Sequence, residues 1–142
     1  MNRVVVDASV VVKWFIPDPA LEPDADRAVA LLAVIRAGDL HVLQPPHWLA
    51  EAGAVLTRLR PEIAEEAMAL LAALELPTSQ ELAIYQRASR ISRELNHHLF
   101  DTLYHALALE EGATLVTADD TYYRKAKELG GLMTLSEFPL EG

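Results

Sequence analysis

The chain contains no cysteine, which excludes disulfide bonds and any metal site built from thiolates. Carboxylate and imidazole side chains remain as candidate ligands, and such a set favours a hard cation. Glycine is also scarce. Its six scattered residues form neither G-x-G-x-x-G nor G-x-x-x-x-G-K, which argues against a phosphate-cradling nucleotide binder. No run reaches the roughly 18 apolar residues of a membrane span, and the first residues show no signal-peptide pattern, so we expect a cytoplasmic protein without a membrane partner.

Basic residues are few as well. The chain has 12 of them against 21 acidic residues, with a formal net charge of −9 and a pI near 4.9. This balance argues against a polyanionic partner such as nucleic acid. It does not exclude one, because two divalent cations bound among four carboxylates would bring the charge from −9 to −5, and basic residues could still line a local groove.

The patterns that are present predict an α/β protein. A length of 142 residues with 51% hydrophobic residues fits one domain over residues 1–142. Strand and helix signals alternate, which predicts an α/β sandwich around a parallel sheet. Predicted strands cover residues 3–6, 40–43, 113–118 and 132–135. Predicted helices cover residues 9–16, 25–37, 47–60, 62–76, 78–95, 96–111 and 121–131. The helix over 78–95 is opened by a capping box at residues 78–81. Residues 17–26, PDPALEPDAD, should form an exposed acidic loop.

Two acids follow predicted strands. Asp7 comes directly after VVV, and Asp119 ends the run ATLVTAD. Since ligands of parallel sheets bind beyond the carboxyl ends of the strands, both side chains should emerge at one edge. Asp120 is adjacent to Asp119 and is the alternative fourth acid. We prefer Asp119 and expect Asp120 to cap the following helix.

Two further acids lie on predicted helices close to apolar faces. Glu51 falls within the apolar stripe of HWLAEAGAVLTRL, and Asp101 flanks the packed face of LFDTLYHALAL. A buried carboxylate without a partner costs several kcal/mol, so a raised pKa, a cationic neighbour or a metal is expected.

Each acid also has an ordinary structural explanation. Asp7 and Asp119 could be helix N-caps, Glu51 could pair with an arginine, and Asp101 could complement a helix dipole. A shared reason for all four is simpler. Together they would form an oxygen-rich site for Mg²⁺ or Mn²⁺.

The order of motifs resembles that of PIN-domain nucleases. It is carried by VVVDAS at residues 4–9, LAE at 49–51 and FDTLYHALALEEGATLVTAD at 100–119, and it covers essentially the whole chain. The match is closest to the VapC-like ribonuclease toxins of type II toxin–antitoxin pairs. The resemblance implies a three-layer α/β/α fold with a central parallel sheet, metal-dependent endoribonuclease activity on RNA, a homodimer and a cognate antitoxin.

Carried over by position, the acidic quartet of that family falls on Asp7, Glu51, Asp101 and Asp119, accompanied by the hydroxyl residues Ser9 and Thr117. Such a set would support in-line hydrolysis of a phosphodiester, in which a divalent ion activates water and a second ion can stabilise the leaving oxygen. Asp7 and Asp101 would be the principal ligands. The number of ions is left open.

Histidines are the rival ligands. The adjacent His97 and His98 point about 100° apart on a helix, but His97 with Asp101, or Asp101 with His105, are four residues apart and could share an ion. His47 and His98 are expected at the surface or rim. Basic residues expected to contact substrate are Lys13, Arg58, Arg124 and Lys125. Base stacking by Trp14, Tyr122 or Tyr123 is a further expectation, with core packing the stronger alternative for Trp14.

Two other functions were weighed. A haloacid-dehalogenase-like phosphatase needs a second acid two residues after the first, where this chain has Ser9. The stronger alternative is a non-catalytic PIN-like module that only binds proteins. The helix pattern EIAEEAMALLAALEL is apolar enough to contact a second copy or an antitoxin, with core burial as the stronger explanation.

Overall fold

Four parallel strands form the central sheet of the computed structural model, which describes residues 2–16, 18 and 20–140. The strands are β1 (Arg3–Val6), β2 (His41–Val42), β3 (Thr114–Thr117) and β4 (Leu132–Thr134), in the order β2-β1-β3-β4. Val4, Val5 and Val6 are almost completely buried because helices cover both faces of β1. The β-branched run therefore predicted this strand correctly.

Seven α-helices in the described residues flank the sheet and give a three-layer α/β/α fold, which confirms the predicted fold class. They are α1 (Ala8–Val11), α2 (Ala25–Arg36), α3 (Trp48–Leu59), α4 (Ala64–Ala73), α5 (Leu82–Leu95), α6 (Leu99–Glu111) and α7 (Asp120–Ala126). Short 3₁₀ segments follow α1 at Val12–Trp14 and α7 at Lys127–Leu129. Within the described part of the chain, no helix is both long enough and apolar enough to cross a membrane.

The second strand is shorter than predicted, because a side chain completes its pairing with β1. Gln44 is fully buried, its Oε1 accepts from the Val6 amide at 2.8 Å, and its Nε2 donates to the Val6 carbonyl at 2.9 Å. The side-chain amide thus does what another strand residue would do. These two bonds fix the last residue of β1, directly before Asp7.

The predicted capping box at residues 78–81 is wrong. Thr78 pairs with Gln44 in an isolated parallel bridge, and the Ser79 amide donates to the Gln44 carbonyl at 3.3 Å. Glu81 is the N-cap of α5, without a side-chain capping bond. Pairing at the sheet edge therefore determines the conformation of this segment, and the helix begins only at Leu82.

Other helix ends agree more closely with the sequence. Gly38 and Gly112 follow α2 and α6 with φ of 83° and 65°, the left-handed conformation that glycine adopts readily. The predicted helix 62–76 is confined to α4, and the predicted helix 9–16 divides into α1 and a 3₁₀ segment. Pro17, which is expected to end the predicted helix 9–16, lies outside the described residues, as does Pro19 in the acidic loop.

Candidate active site

The four predicted acids line one open cavity of about 500 Å³ beyond the carboxyl ends of β1 and β3. Each comes from a different part of the fold. Asp7 follows β1, Asp119 follows β3, Glu51 lies in the first turn of α3, and Asp101 lies in the first turn of α6. Parallel pairing brings the two strand ends together, and the Asp7 amide donates to the Val116 carbonyl at 3.0 Å.

Asp7 is held through one of its two carboxylate oxygens. Its Oδ2 accepts from the Ser9 amide at 3.1 Å, from the Ser9 hydroxyl at 2.5 Å and from the Thr117 hydroxyl at 3.4 Å. Asp7 is thus also the N-cap of α1. Both explanations given for this residue from the sequence are compatible, because capping uses Oδ2 and no hydrogen bond to Oδ1 is present among the described residues.

The two hydroxyl residues act on the acids that follow the strands. Ser9 Oγ accepts from the Ala118 amide at 3.0 Å, and Thr117 Oγ1 accepts from the Asp119 amide at 3.1 Å. Thr117 is buried and does not line the acidic cavity, whereas Ser9 does. These contacts orient Asp7 and the segment of Asp119, so the observed role of both hydroxyls is to position acids.

Asp119, not Asp120, caps the helix that follows β3. Its Oδ1 accepts from the Tyr122 amide at 3.0 Å, while Asp120 is exposed and forms the first residue of α7. The expectation that Asp120 would be the cap is therefore wrong by one residue. Asp119 lines the cavity and Asp120 does not, in line with the preference for Asp119 as the fourth acid.

Asp101 is held by a histidine that precedes its helix. His97 Nε2 lies 2.8 Å from Asp101 Oδ2, and the other ring nitrogen, Nδ1, lies 3.1 Å from Lys125 Nζ. Lys125 also donates to the Asn96 carbonyl at 3.3 Å and lines a neighbouring polar cleft, not the acidic cavity. The expectation that Lys125 faces substrate beside the acids is thus replaced by contact with His97.

Glu51 has a histidine and a tyrosine beside it. His47 Nε2 lies 3.5 Å from Glu51 Oε1 and donates at 2.9 Å to the Phe100 carbonyl, which connects α3 to the residue before Asp101. Tyr104 is fully buried, and its hydroxyl lies close enough to the Glu51 carboxylate to lower the pKa of that acid in part, although the pair lacks normal hydrogen-bond geometry. The nearest polar neighbour of this buried hydroxyl is thus an acid of the cavity.

Burial and mutual repulsion raise the pKa of two acids. Burial, offset in part by the Ser9 hydrogen bonds, raises the pKa of Asp7 to about 6, with smaller contributions from the charges of Asp101 and Asp119. Burial is also the main reason why the pKa of Glu51 rises to about 7. Such values are typical of sites where charge is concentrated for a function.

The oxygen donors of the four acids fit a hard divalent cation, although their side chains do not form a complete coordination site. Among the described residues, no group of three or more His, Asp or Glu side chains is arranged to hold one ion. Asp7, Asp101 and Asp119 each direct one oxygen to a protein donor, which leaves the other oxygen for a ligand. All-oxygen donors suit Mg²⁺ or Mn²⁺.

The basic residues named from the sequence are dispersed. Arg58 lines the cavity and forms no ion pair within the described part of the chain. Lys13 also lines it, but its buried ammonium is 3.0 Å from Glu22 Oε1. Arg124 is exposed and does not line the acidic cavity. Among the described residues, Arg58 is therefore the one cation at the acids without an ion pair, whereas Arg124 lies outside the acidic cavity.

The aromatic and histidine alternatives are also resolved by burial. Tyr122 is buried and contacts His105 Nδ1 at 2.8 Å, so it cannot stack on a base, while His105 Nε2 donates to the Gly130 carbonyl at 2.8 Å. With both ring nitrogens engaged, His105 is not a ligand, and burial lowers its pKa. Trp14 packs against the core and donates to the Ala28 carbonyl at 2.8 Å.

Sequence reasoning missed three residues of this site. Gln44 fixes β1, Tyr104 lies behind Glu51, and Glu22 neutralises Lys13. A usable signal existed for the histidines, because His47 and His97 each precede an acid by four residues. For His97 and Asp101 this spacing suggests a shared metal site, whereas the structure shows a histidine that orients the acid.

Comparison with known proteins supports the interpretation of the fold. A model of the PIN domain matches residues 4–128. The chain belongs to the PIN domain family. PIN domains are generally nucleases and typically use divalent metal ions, so membership indicates nuclease activity and nucleic-acid binding in general.

One solved structure similar to this PIN domain is PAE2754 from Pyrobaculum aerophilum. It has a TM-score of 0.62, with 95% of this chain and 90% of that chain covered, at 19% sequence identity. At this identity the likeness shows the fold alone. A search of curated proteins found no significant match.

Proposed function

We propose that this PIN domain is an Mg²⁺- or Mn²⁺-dependent endoribonuclease, with Asp7, Glu51, Asp101 and Asp119 as the acids that hold the ions. The observation that carries the proposal is the convergence of these four acids on one cavity from four separate elements. Their separate structural explanations do not account for this convergence, because a capping aspartate need not face three other carboxylates.

The residues around the cavity have different roles in the proposed hydrolysis. A bound divalent ion would supply an activated water and charge neutralisation at the phosphate. Glu51, with a pKa near 7 because of burial, is suited to accept a proton from the attacking water. Arg58 is placed to attract an RNA phosphate to the cavity, and Ser9 and Thr117 keep Asp7 oriented during the reaction.

The biological role that we propose is that of a toxin in a toxin–antitoxin pair. The support is the resemblance of the quoted motifs to VapC-like toxins, together with family membership. A cognate antitoxin, a homodimer, a cytoplasmic location and operation as a single domain over residues 1–142 belong to the same proposal. Growth arrest on expression, relieved by a neighbouring gene product, would support the toxin role.

The catalytic proposal is tested with purified protein on a mixed RNA pool and on single-stranded DNA. RNA cleavage should require Mg²⁺ or Mn²⁺, should stop with EDTA, and should be lost in Asp101→Asn but retained in Asp120→Asn. The second variant removes an exposed acid that does not line the cavity. Equal cleavage in all samples would indicate contamination and would remove the support for the assignment.

The second candidate function is a non-catalytic protein-binding module. The absence, in the described residues, of any group of three acids or histidines arranged for one ion favours it. The two functions differ in their response to metal. A nuclease should be stabilised by Mn²⁺ in a manner that depends on Asp7, whereas a binding module should not respond.

A further inference from the structure

His97 connects two charged residues on opposite sides of its ring. Its Nε2 contacts Asp101 Oδ2 at 2.8 Å, and its Nδ1 contacts Lys125 Nζ at 3.1 Å. Its side chain is only 12% exposed, and its ring packs edge-on against buried Tyr122 with a centroid separation of 4.9 Å. This is a fixed imidazole in contact with an acid of the cavity.

The chemistry of the two neighbours determines where the imidazole proton lies. A lysine ammonium has donors only, so Nδ1 must accept from Lys125. The proton of the neutral ring is then on Nε2, and it is donated to Asp101. The Asp101 carboxylate favours the same tautomer, because a carboxylate only accepts and a lone pair on Nε2 would face it.

The backbone of His97 is also anchored. Its amide donates to the Ser92 carbonyl at 3.0 Å, and the Ser92 hydroxyl donates to the His97 carbonyl. Asn96, the residue before it, ends α5 in the left-handed conformation with φ of 51° and accepts from Lys125 through its carbonyl. The histidine is thus held from α5 and α7 while it contacts the acid of α6.

We propose that His97 is a positioning residue, which orients Asp101 through an Nε2–H bond, and that Lys125 holds the ring for this bond by donating to Nδ1. The bond occupies Asp101 Oδ2 and leaves Oδ1 free to face the cavity. A histidine in this tautomer has no lone pair on the nitrogen nearest Asp101. It therefore supports a metal ligand without being one, in contrast to the shared site considered from the sequence.

This inference rests on the proposed function in one respect, because positioning matters only if Asp101 binds the ion. Its structural part does not need the metal. In ¹⁵N-labelled, metal-free protein, the ring nitrogens of His97 should show protonated Nε2 and unprotonated Nδ1. A scalar coupling or a protected Nε2 proton would show the bond to Asp101.

Matched variants test the part of Lys125. Lys125→Met removes the donor at Nδ1, and Arg124→Met removes a neighbouring exposed cation from the same helix. Lys125→Met should move the Nδ1 resonance of His97, because that nitrogen loses its hydrogen-bond donor, and should weaken the protection of the Nε2 proton. Arg124→Met should leave the spectrum of His97 unchanged. A wild-type ring that is protonated on Nδ1, or identical spectra for both variants, would overturn the inference.

Metal binding tests the functional part by a readout other than activity. Free Mn²⁺ measured by electron paramagnetic resonance should show about 10-fold weaker binding in His97→Leu, the size expected when a side chain that orients a ligand is lost. His97→Gln, which keeps an N–H donor, should recover part of this loss. His98→Leu, at an exposed neighbouring position, should bind like the wild type.

The outcomes are distinguishable. Unchanged Mn²⁺ affinity in a folded His97→Leu protein would refute positioning even if the tautomer is as expected. Failure of the wild-type protein to bind Mn²⁺ or Mg²⁺ would instead contradict the proposed function. The ring spectra would still show whether His97 donates to Asp101 and accepts from Lys125. Thermal unfolding without metal shows whether each variant is folded.

Discussion

Replacement of Asp7 by asparagine should make the metal-free protein more stable, because it removes a charge whose burial is unfavourable. Asp7 is half-buried among other acids, and burial raises its pKa to about 6. Asparagine has nearly the same shape, and its Oδ1 can still accept from the Ser9 amide. The N-cap of α1 is therefore retained while the repulsion with Asp101 and Asp119 is lost.

The magnitude follows from the pKa. A rise from 3.8 to about 6 corresponds to about 3 kcal/mol when the acid is fully ionised, since one pKa unit is worth about 1.4 kcal/mol. Partial exposure screens the charge, so we expect about 1 to 3 kcal/mol. For a chain of this length, roughly 3 °C per kcal/mol gives an increase in Tm of about 3 to 9 °C.

The sign of the pH dependence distinguishes this cause from others. Because the folded-state pKa of Asp7 is raised, the folded protein binds more protons than the unfolded chain between about pH 4 and pH 6. The stability that the folded protein gains by binding this proton is fully present below about pH 4 and is lost as the pH rises through about 6. The advantage of Asp7→Asn over the wild type should thus grow across this interval and become constant only above about pH 7, because burial and, to a smaller extent, the charges of Asp101 and Asp7 raise the pKa of Glu51 to about 7. Titration of histidines affects both proteins and cancels in the difference.

The assay is chemical denaturation at several pH values, with EDTA and then with Mn²⁺. Metal should stabilise the wild type and have little effect on Asp7→Asn, so the order of stabilities should reverse when Mn²⁺ is added. Asp120→Asn is the matched control. It should change neither the free energy of unfolding in EDTA nor the stabilisation by Mn²⁺, because that acid is exposed. A less stable Asp7→Asn protein in EDTA at pH 8, or an advantage independent of pH, would refute the reasoning.

Three other changes test separate contacts. Gln44→Leu should destabilise the protein by about 2 to 5 kcal/mol in denaturation, because it leaves both buried backbone groups of Val6 without partners, and Gln44→Glu should restore only the acceptor. Arg58→Met should weaken RNA binding and reduce its salt dependence by about one counterion without changing Mn²⁺ affinity; an unchanged salt slope would exclude phosphate contact. Lys13→Met should destabilise the protein by about 3 kcal/mol, because Glu22 is left unpaired. The double variant Lys13→Met, Glu22→Leu should recover most of this stability. If the double variant instead loses the sum of the two single losses, the ion pair between these residues is contradicted.

The sheet and its helices could be predicted because their signals are local and repeated. Val4–Val6 carries a β-branched run, and Gly112 marks the end of α6 with a left-handed residue. The acids could be named because parallel strands bring their carboxyl ends together, whatever the details of packing. Position in the chain was enough for Asp7 and for Asp119.

Pairing across the structure could not be predicted in the same way. Its charge and its position shortly after Asp7 marked Lys13 as a substrate contact, whereas its partner Glu22 lies across a loop that has no periodic signal. The length of β2 depends on the side chain of Gln44, which imitates a backbone group and leaves no strand pattern in the sequence. The choice of Asp119 as the cap depends on a helix start displaced by one residue, within the error of local patterns.

The same hydrogen bonds explain why the site tolerates four acids before any cation is present. Ser9 donates to Asp7, His97 donates to Asp101, and a backbone amide donates to Asp119, so each aspartate has one oxygen stabilised by the protein. Burial is the main cause of the raised pKa of Asp7, and repulsion among the remaining carboxylate oxygens adds to it. A divalent ion would relieve that repulsion, and its binding free energy would appear directly as folding stability. Metal affinity and metal-free stability should therefore change in opposite directions when an acid of the cavity is neutralised, whereas loss of a donor such as His97 should weaken both.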